Sequence, residues 1–461
     1  MSIEACYVLP HPPLIIPEVG RGQEKEISET VRAYERIAGE IAAKKPDTIV
    51  FVTPHSMMYV DYFHISPSCT AQGNFASYRA GNVELEVEYD AEFVDALCHE
   101  AEKTGISAGT LGEKIAALDH GVMVPLFFLR KFDFDFKAVR ISISGQDYLS
   151  HYKLGEMISS VSDKTGKKTV FIASGDLSHK LTQDGPYGFS MEGPMFDSQI
   201  TEIFKTAAFD KLINLSEDFA EAAAECGLKG FFVMAGALNK KSVKQELVSY
   251  EGPFGVGYAV ASFEVTGEDS QRDFYAKILK TQIDLLADKI TTEDSYVSFA
   301  RYAVEGYIRN ERVPELPEGL PEEMLNSTAG VFVSIKKMNN LRGCVGTISP
   351  LRENIAYEIL SNAISSAVGD SRFLPVTEDE LPFLSYSVDV LKKLEPVYSL
   401  DKLDVKKYGI VVRNKFKKGL LLPNLDGVDT VEKQIEISKQ KAGIKPDEDF
   451  SIERFEVIRH T

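Results

Sequence analysis

The chain has 461 residues, 69 acidic and 51 basic side chains, a net charge of −18 and 44% hydrophobic residues. This length predicts at least two domains, because single cores stop growing at about 250–300 residues. The acidic charge argues against a nucleic-acid or anionic-membrane partner. The N-terminus lacks the features of a signal peptide, and the apolar runs are shorter than the about 20 residues that span a bilayer.

The cysteines are five in number, scattered, and include no CxxC pair. An odd set without such pairs is typical of free thiols in a reducing compartment. We therefore predict a cytoplasmic protein.

Apolar runs alternate with amphipathic stretches through the first part of the chain. In chain order, the patterns first predict a strand at 3–10, a helix at 24–45, strands at 47–54 and 61–68, and a helix at 90–105. They then predict a strand at 136–144, a helix at 152–166 and a strand at 168–176. Helices at 196–215 and 230–241 and a strand at 254–265 complete this part of the chain. Such alternation predicts an α/β domain with a mostly parallel sheet flanked by helices.

A charged, turn-rich segment at 266–273 marks a domain boundary. We place the domains at 1–267 and 268–461, and the first helices of the second domain can act as a linker. The patterns there predict helices at 274–290 and 295–310, a strand at 329–337, a helix at 352–369, strands at 384–394 and 408–423, and a helix at 431–443. This mixture predicts a C-terminal α+β domain.

Three histidines follow predicted strands directly: His11, His55 and His179. Ligands of open α/β sheets bind at the carboxyl ends of the strands, so parallel strands would bring these side chains to one edge. A fourth, His120, lies where a helix begins. A single histidine at a strand end is usually structural, but three at one edge favour a site.

Two histidines with one carboxylate form the arrangement that non-haem iron uses, and imidazole also suits zinc and other divalent metals. The carboxylate that we favour is Glu225. The adjacent Cys226 is an alternative third ligand that would give a softer site. Asp119 and Asp176 are candidates for a helix cap or for fixing the tautomer of a histidine.

The ordered motifs LPHPPL, TPHS, LDHGVMVPL and SGDLSH, followed by Glu225, resemble the class III extradiol ring-cleavage dioxygenases and their Memo relatives over residues 1–265. The resemblance implies Fe(II) bound by His11, His55 and Glu225, and a catechol-type aromatic substrate. It also implies that His179 is the acid/base and that His120 lines the substrate pocket. The Memo branch carries a cysteine near this glutamate, so Cys226 remains the alternative ligand.

The later motifs LRGCVG, GDSRFLPVTEDEL, KGLLLP and KAG resemble the AMMECR family over most of residues 290–461. The pairing of the two resembles the AmmeMemoRadiSam system, whose third component is a radical SAM protein. Cys344, beside Arg342, is either a nucleophilic thiol or a small buried side chain in a turn. Arg372 can bind an anion or form an ion pair that holds the fold.

Two functions follow as hypotheses. The first is an Fe(II)-dependent extradiol dioxygenase-like enzyme with a small aromatic substrate. The second is a metal-binding or redox accessory protein that works with a radical SAM partner in modifying a protein or cofactor. The sequence leaves open whether the chain forms a homo-oligomer.

Overall fold

The computed structural model describes residues 3–112, 114, 117–337, 340–414, 417–424, 428, 430–445 and 448–461. The chain forms two compact units, Met1–Leu279 and Lys280–Thr461. The division lies beyond the boundary that we predicted between 267 and 268. The reason is that the next helix begins on the first unit, where the ring of Phe274 lies 5.7 Å from that of Phe209.

The first unit is built on a six-stranded sheet in the order β7-β2-β8-β1-β10-β9. The strands of this unit are β1 Ile3–Leu9, β2 Thr48–Thr53, β3 Phe63–His64, β4 Thr70–Phe75, β5 Ala80–Glu88, β6 Ala108–Gly109, β7 Lys137–Ser142, β8 Thr169–Ser174, β9 Lys241–Glu251 and β10 Tyr258–Glu268. Strands β7, β2, β8 and β1 are parallel. The predicted mostly parallel sheet is thus confirmed.

The helices of this unit are α1 Pro17–Gly20, α2 Ser28–Lys44, α3 Ala91–Thr104, α4 His120–Leu129, α5 Tyr148–Thr165, α6 Glu192–Thr206, α7 Glu217–Ala223 and α8 Leu228–Ala237. Helix α9, Phe274–Thr292, begins in this unit. Every residue of β2 and β8 is buried. Such burial explains why these strands are continuous apolar runs. Among the described helices, none is both long and apolar enough to cross a membrane.

Two of the predicted elements are clearly shorter in the structure. The strand predicted at 61–68 shortens to Phe63–His64, and the helix predicted at 196–215 ends at Thr206, where Ala207 turns left-handed with φ 50°. A 3-10 helix follows at Phe209–Asn214. The sequence analysis also missed β9, whose polar, half-exposed residues pair antiparallel with β10 at the sheet edge.

The second unit contains two four-stranded sheets, β12-β11-β13-β18 and β14-β17-β15-β16, all of whose pairs are antiparallel. The strands are β11 Gly330–Lys337, β12 Asn340–Gly346, β13 Leu384–Leu391, β14 Glu395–Val397, β15 Gly409–Asn414, β16 Lys417–Leu421, β17 Ser451–Phe455 and β18 Val457–His460. The helices are α10 Ser295–Asn310, α11 Glu322–Asn326, α12 Ile355–Val368 and α13 Val431–Ala442. Helices α10 and α12 share a core with β11 and β13, as the predicted α+β class requires.

A buried carboxylate ties β12 to the segment before β13. Arg342 donates from Nε and Nη2 to the two oxygens of Glu380 at 3.0 and 2.8 Å, and Lys337 Nζ lies 2.8 Å from Oε1. Burial alone would raise the pKa of Glu380, but the hydrogen bonds from Arg342 and Lys337 outweigh it and lower the pKa to about 2. The ionised form is therefore the one that the fold stabilises.

We expect Glu380→Gln to reduce the free energy of unfolding by roughly 2–3 kcal/mol at pH 7. Because the pKa in the folded state is depressed, the stabilisation is complete above the ordinary pKa and is lost as the pH falls toward 2. The free energies of unfolding of the wild type and of Glu380→Gln, measured by denaturant unfolding, should thus converge as the pH falls from 7 to 3. The exposed Glu378→Gln is the control, and a constant difference for Glu380→Gln across this range would contradict the assignment.

Candidate metal centre

The carboxyl ends of β1, β8 and β2 lie side by side, and the histidines that follow these strands converge. His11 Nε2 lies 2.9 Å from His55 Nε2. The ring of His120, at the start of α4, lies 4.0 Å from the ring of His55 and 5.2 Å from that of His11. The structure therefore brings these three imidazoles to one edge of the sheet.

Cys226, which lies just before α8, joins the first two histidines. Its Sγ lies 3.6 Å from His11 Nε2, and the ligand atoms of His11, His55 and Cys226 all lie within 4.8 Å of one another. Glu225 belongs to neither of the metal-ligand groups that the described residues form. Its Oε2 instead accepts the Leu228 N–H at 2.6 Å, which caps α8. The geometry thus favours the alternative ligand, Cys226, over Glu225.

The donor spacing fits one cation. With metal–nitrogen bonds of about 2.1 Å, two nitrogens lie about 3.0 Å apart at a right angle and about 3.4 Å apart at a tetrahedral angle. A sulfur at about 2.3 Å from the same ion lies about 3.6 Å from such a nitrogen at a tetrahedral angle. The observed separations of 2.9 and 3.6 Å agree with these values.

Hydrogen bonds select the tautomer of His11. The Ser174 hydroxyl donates its one proton to the Gly121 carbonyl at 2.5 Å, so it accepts at 2.9 Å from His11 Nδ1–H. With the proton on Nδ1, the lone pair of Nε2 points to His55 and Cys226. The His11 backbone N–H also donates to Asp176 Oδ1 at 2.7 Å, which fixes the chain on leaving β1.

Two glycines allow the segment with Cys226 to approach the loop after β8. A Cβ at Gly175 would lie 2.3 Å from the Cα of Gly227, and one at Gly227 would lie 2.4 Å from the ring of Phe231. The close contact lets the Asp176 N–H donate to Cys226 Sγ at 3.3 Å. The sequence analysis quoted Gly175 within the SGDLSH motif but gave neither glycine this role.

The imidazoles are held neutral. Burial, followed by the charges of His55, His120 and His179, lowers the pKa of His11 well below its usual value. Burial and then His55 lower the pKa of His120 to about 4. Burial also lowers the pKa values of His55 and His179. Neutral imidazoles at neutral pH are the form that binds a cation.

Burial shifts the pKa values of the neighbouring acidic groups upward, in the direction opposite to those of the histidines. Burial raises the pKa of Asp176 to about 7 and that of Glu225 to about 7. Burial, and then the charges of Asp176 and Glu225, raise the pKa of the Cys226 thiol. Burial therefore disfavours the charged forms of these groups, and a bound cation would supply the compensation for a thiolate.

His179 lies in the loop after β8 and is also fixed in orientation. Its Nδ1 lies 3.1 Å from the Leu177 carbonyl, which can only accept, so Nδ1 carries a proton, and the ring also has a backbone hydrogen bond with Ala224. The loop is anchored by the Ser178 N–H, which donates at 2.8 Å to the buried Asp197. Asp197 also accepts the Tyr250 hydroxyl at 2.7 Å.

Asp119 connects two parts of the site. Its Oδ1 accepts the Thr53 hydroxyl at 2.7 Å, and the Thr53 oxygen accepts the His55 N–H at 3.2 Å. Its Oδ2 lies 3.7 Å from Nη1 of Arg140. Asp119, which directly precedes His120, thus holds the loop that carries His55 through Thr53. Its side chain makes no capping hydrogen bond to α4.

A cavity of about 1180 Å³ lies at the other edge of the sheet. Asp47 and Lys137, at the amino ends of β2 and β7, line it together with Glu88 at the end of β5. Ligands of open parallel sheets bind at the carboxyl ends, so we assign the site to the histidine cluster rather than to this cavity.

The cysteine of the second unit is in a different environment. Burial raises the pKa of Cys344, and Arg342 is engaged with Glu380 rather than with this thiol. Arg372 pairs with Asp370 at 2.6 Å and donates to the Cys344 carbonyl at 3.2 Å. These contacts favour a structural role for Cys344 over that of a nucleophile. They likewise favour ion pairs that hold the fold for Arg342 and Arg372, rather than anion binding by Arg372.

We expect Gly175→Ala to reduce the free energy of unfolding by about 1–3 kcal/mol, because the new methyl group meets backbone atoms of Gly227. It should also weaken Co(II) binding by moving Cys226 away from His11. Gly267→Ala is the matched control, since a Cβ there meets nothing within 4 Å. Equal unfolding free energies and equal Co(II) affinities for the two variants would contradict this role.

Comparison with known proteins agrees with the two-unit architecture. Residues 5–261 match the family described as the catalytic LigB subunit of aromatic ring-opening dioxygenase, and residues 297–460 match AMMECR1. A protein of Clostridium acetobutylicum is 40% identical over 100% of this chain and 99% of its own length. Both resemblances that we drew from the motifs are thereby confirmed.

Shorter relatives cover only part of the chain. A Thermotoga maritima protein is 46% identical over 36% of this chain and 98% of its own length. The crystal structure of an uncharacterized protein from Pyrococcus horikoshii is 30% identical, covers 36% of this chain and 88% of that one, and has a TM-score of 0.34. On the match over more than half of its length, the chain belongs to the LigB family of aromatic ring-opening dioxygenase subunits, with an AMMECR1 domain in the same polypeptide.

Proposed function

We propose that the first unit is an Fe(II)-dependent enzyme of the extradiol ring-cleavage type that acts on a catechol-type aromatic. The observation that carries the proposal is the approach of His11, His55 and Cys226 at the spacing of a single cation. The position at the carboxyl ends of parallel strands, and the membership of the LigB family, support it.

Three side chains would hold the metal: His11, His55 and Cys226. When bound, Fe(II) supplies Lewis-acid and electron-transfer chemistry to a diol and to dioxygen. The proton on His11 Nδ1 keeps its Nε2 available as a ligand. His11 is buried whereas His55 is exposed, so solvent reaches the His55 side of the site.

His179 would act as the acid/base. Its Nε2 lone pair can accept a proton from a substrate hydroxyl, and the resulting imidazolium can return a proton later in the reaction. Because burial lowers its pKa, the base is unprotonated at neutral pH before substrate binds. The Asp197–Ser178 hydrogen bond fixes the loop and so positions the ring.

His120 would form a wall of the substrate pocket. Its ring lies 4.0 Å from that of His55 and 6.0 Å from that of Tyr78. On the other side, the ring of Tyr187 lies 5.7 Å from that of His179 and is 64% exposed. Aromatic walls of this kind suit a flat aromatic ring.

The thiol ligand favours a second candidate function. A sulfur donor in place of a carboxylate makes the centre softer and changes its redox behaviour. A metal-binding or redox accessory role beside a radical SAM protein, in modification of a protein or cofactor, fits this donor and the attached AMMECR1 domain. Metal binding without oxygen uptake on any catechol would favour this function.

We expect anaerobically purified wild-type protein to contain iron that His11→Ala and His55→Ala lose almost entirely. Cys226→Ala should lose most of it, whereas Glu225→Gln should retain it, because Glu225 caps α8. Metal analysis by mass spectrometry measures the content, and His99→Ala on the polar face of α3 is the control. Iron lost in Glu225→Gln but retained in Cys226→Ala would assign the ligand to the carboxylate.

Oxygen consumption with a panel of catechols tests the reaction itself. His179→Asn should retain the iron but lower kcat by about 10²–10⁴-fold, as expected for loss of a general acid/base. Loss of iron and activity together would instead place His179 among the ligands. No oxygen uptake by the iron-loaded wild type with any catechol would contradict the proposed reaction.

A further inference from the structure

A second group of donors lies beside the first and shares one atom with it. The ligand atoms of Asp176, His179 and Cys226 also lie within 4.8 Å of one another. Cys226 therefore belongs to both groups, with His11 and His55 on one side and Asp176 and His179 on the other. The two groups can be occupied together only if one sulfur serves two cations.

We propose that the centre takes up a second divalent cation of the zinc, cobalt or iron(II) class, held by Asp176 and His179 and bridged to the first by the Cys226 sulfur. Thiolate, imidazole and carboxylate form a donor set that such cations accept. Paired cations in enzymes lie about 3.5–4 Å apart, a separation that one shared ligand atom can bridge.

The orientation of each donor supports this second site. The proton of His179 is on Nδ1, which donates to the Leu177 carbonyl, so Nε2 is the available ligand atom. Asp176 uses Oδ1 to accept the His11 N–H, and its Oδ2 lies 4.0 Å from His11 Nε2. The Asp176 backbone N–H holds Cys226 Sγ at 3.3 Å. The same loop thus supplies two ligands and contacts the third.

The charges set the order of binding. Together the centre offers two anionic ligands, the Cys226 thiolate and the Asp176 carboxylate, against two doubly charged cations. The first cation repels the second, so the second binds more weakly. The second also binds His179 Nε2, which the proposed function requires as a base. Excess divalent metal would therefore inhibit turnover, a consequence that rests on the proposed function.

Cobalt(II) is the probe, added anaerobically to metal-free full-length protein. We expect about two equivalents to bind, the second more weakly than the first. The thiolate charge-transfer band should appear with the first equivalent and shift with the second. A shared sulfur couples the two spins, so the second equivalent should reduce the electron paramagnetic resonance signal rather than double it.

Variants separate the two sites. His179→Ala and Asp176→Asn should each retain about one equivalent and lose the spin coupling, whereas the control His99→Ala should bind as the wild type does. Asp176→Asn keeps an acceptor for the His11 N–H, so it serves if His179→Ala does not fold. Circular dichroism checks the fold of each variant.

A wild type that binds about one equivalent only, or two equivalents with additive spin signals, would overturn the proposal. Retention of the second equivalent by both His179→Ala and Asp176→Asn would do the same. None of these measurements involves turnover, so failure of the dioxygenase function leaves this test intact.

Discussion

The centre depends on the contact between the backbone of Gly175 and that of Gly227. The first glycine follows β8 and the second precedes α8, so the contact fixes the start of a buried helix against the edge of the sheet. No side chain larger than hydrogen fits between them, since a Cβ at Gly175 would lie 2.3 Å from the Gly227 Cα. Because of this approach, Cys226 reaches His11, which leaves the sheet from the neighbouring strand.

A second constraint is electrostatic. Burial disfavours charge on imidazole, carboxyl and thiol alike, and at this edge of the sheet it lowers the pKa of His11 and raises those of Asp176 and Cys226. Shifts toward the neutral forms reduce the free-energy cost of burying these side chains. The same group can exchange the thiol proton for a cation, and the bound ion would then compensate the charge of the thiolate. Folding stability and metal binding are therefore compatible in this centre.

Much of the fold could be predicted from the sequence, because buried parallel strands are continuous apolar runs and α3 is capped by Asp90 at its start and by Gly105 at its end. The polar edge strand β9 carried no such pattern. His11 and His55 could be predicted from their positions after strands. The choice between Glu225 and Cys226 could not be predicted from the sequence. Which of two adjacent side chains faces His11 depends on the direction of the chain as it enters α8, and the contact with the distant Gly175 sets that direction.

The two units differ in how they use their polar side chains. In the second unit, Arg342 and Arg372 each pair with a carboxylate, and the resulting contacts hold the LRGCVG strand to its neighbours. In the first unit, the edge of the sheet concentrates nitrogen and sulfur donors whose lone pairs converge. An arginine and a carboxylate balance each other's charge, whereas converging nitrogen and sulfur lone pairs form a geometry that can accept a cation. The candidate metal ligands therefore lie in the first unit, whereas Arg342 and Arg372 make structural contacts in the second.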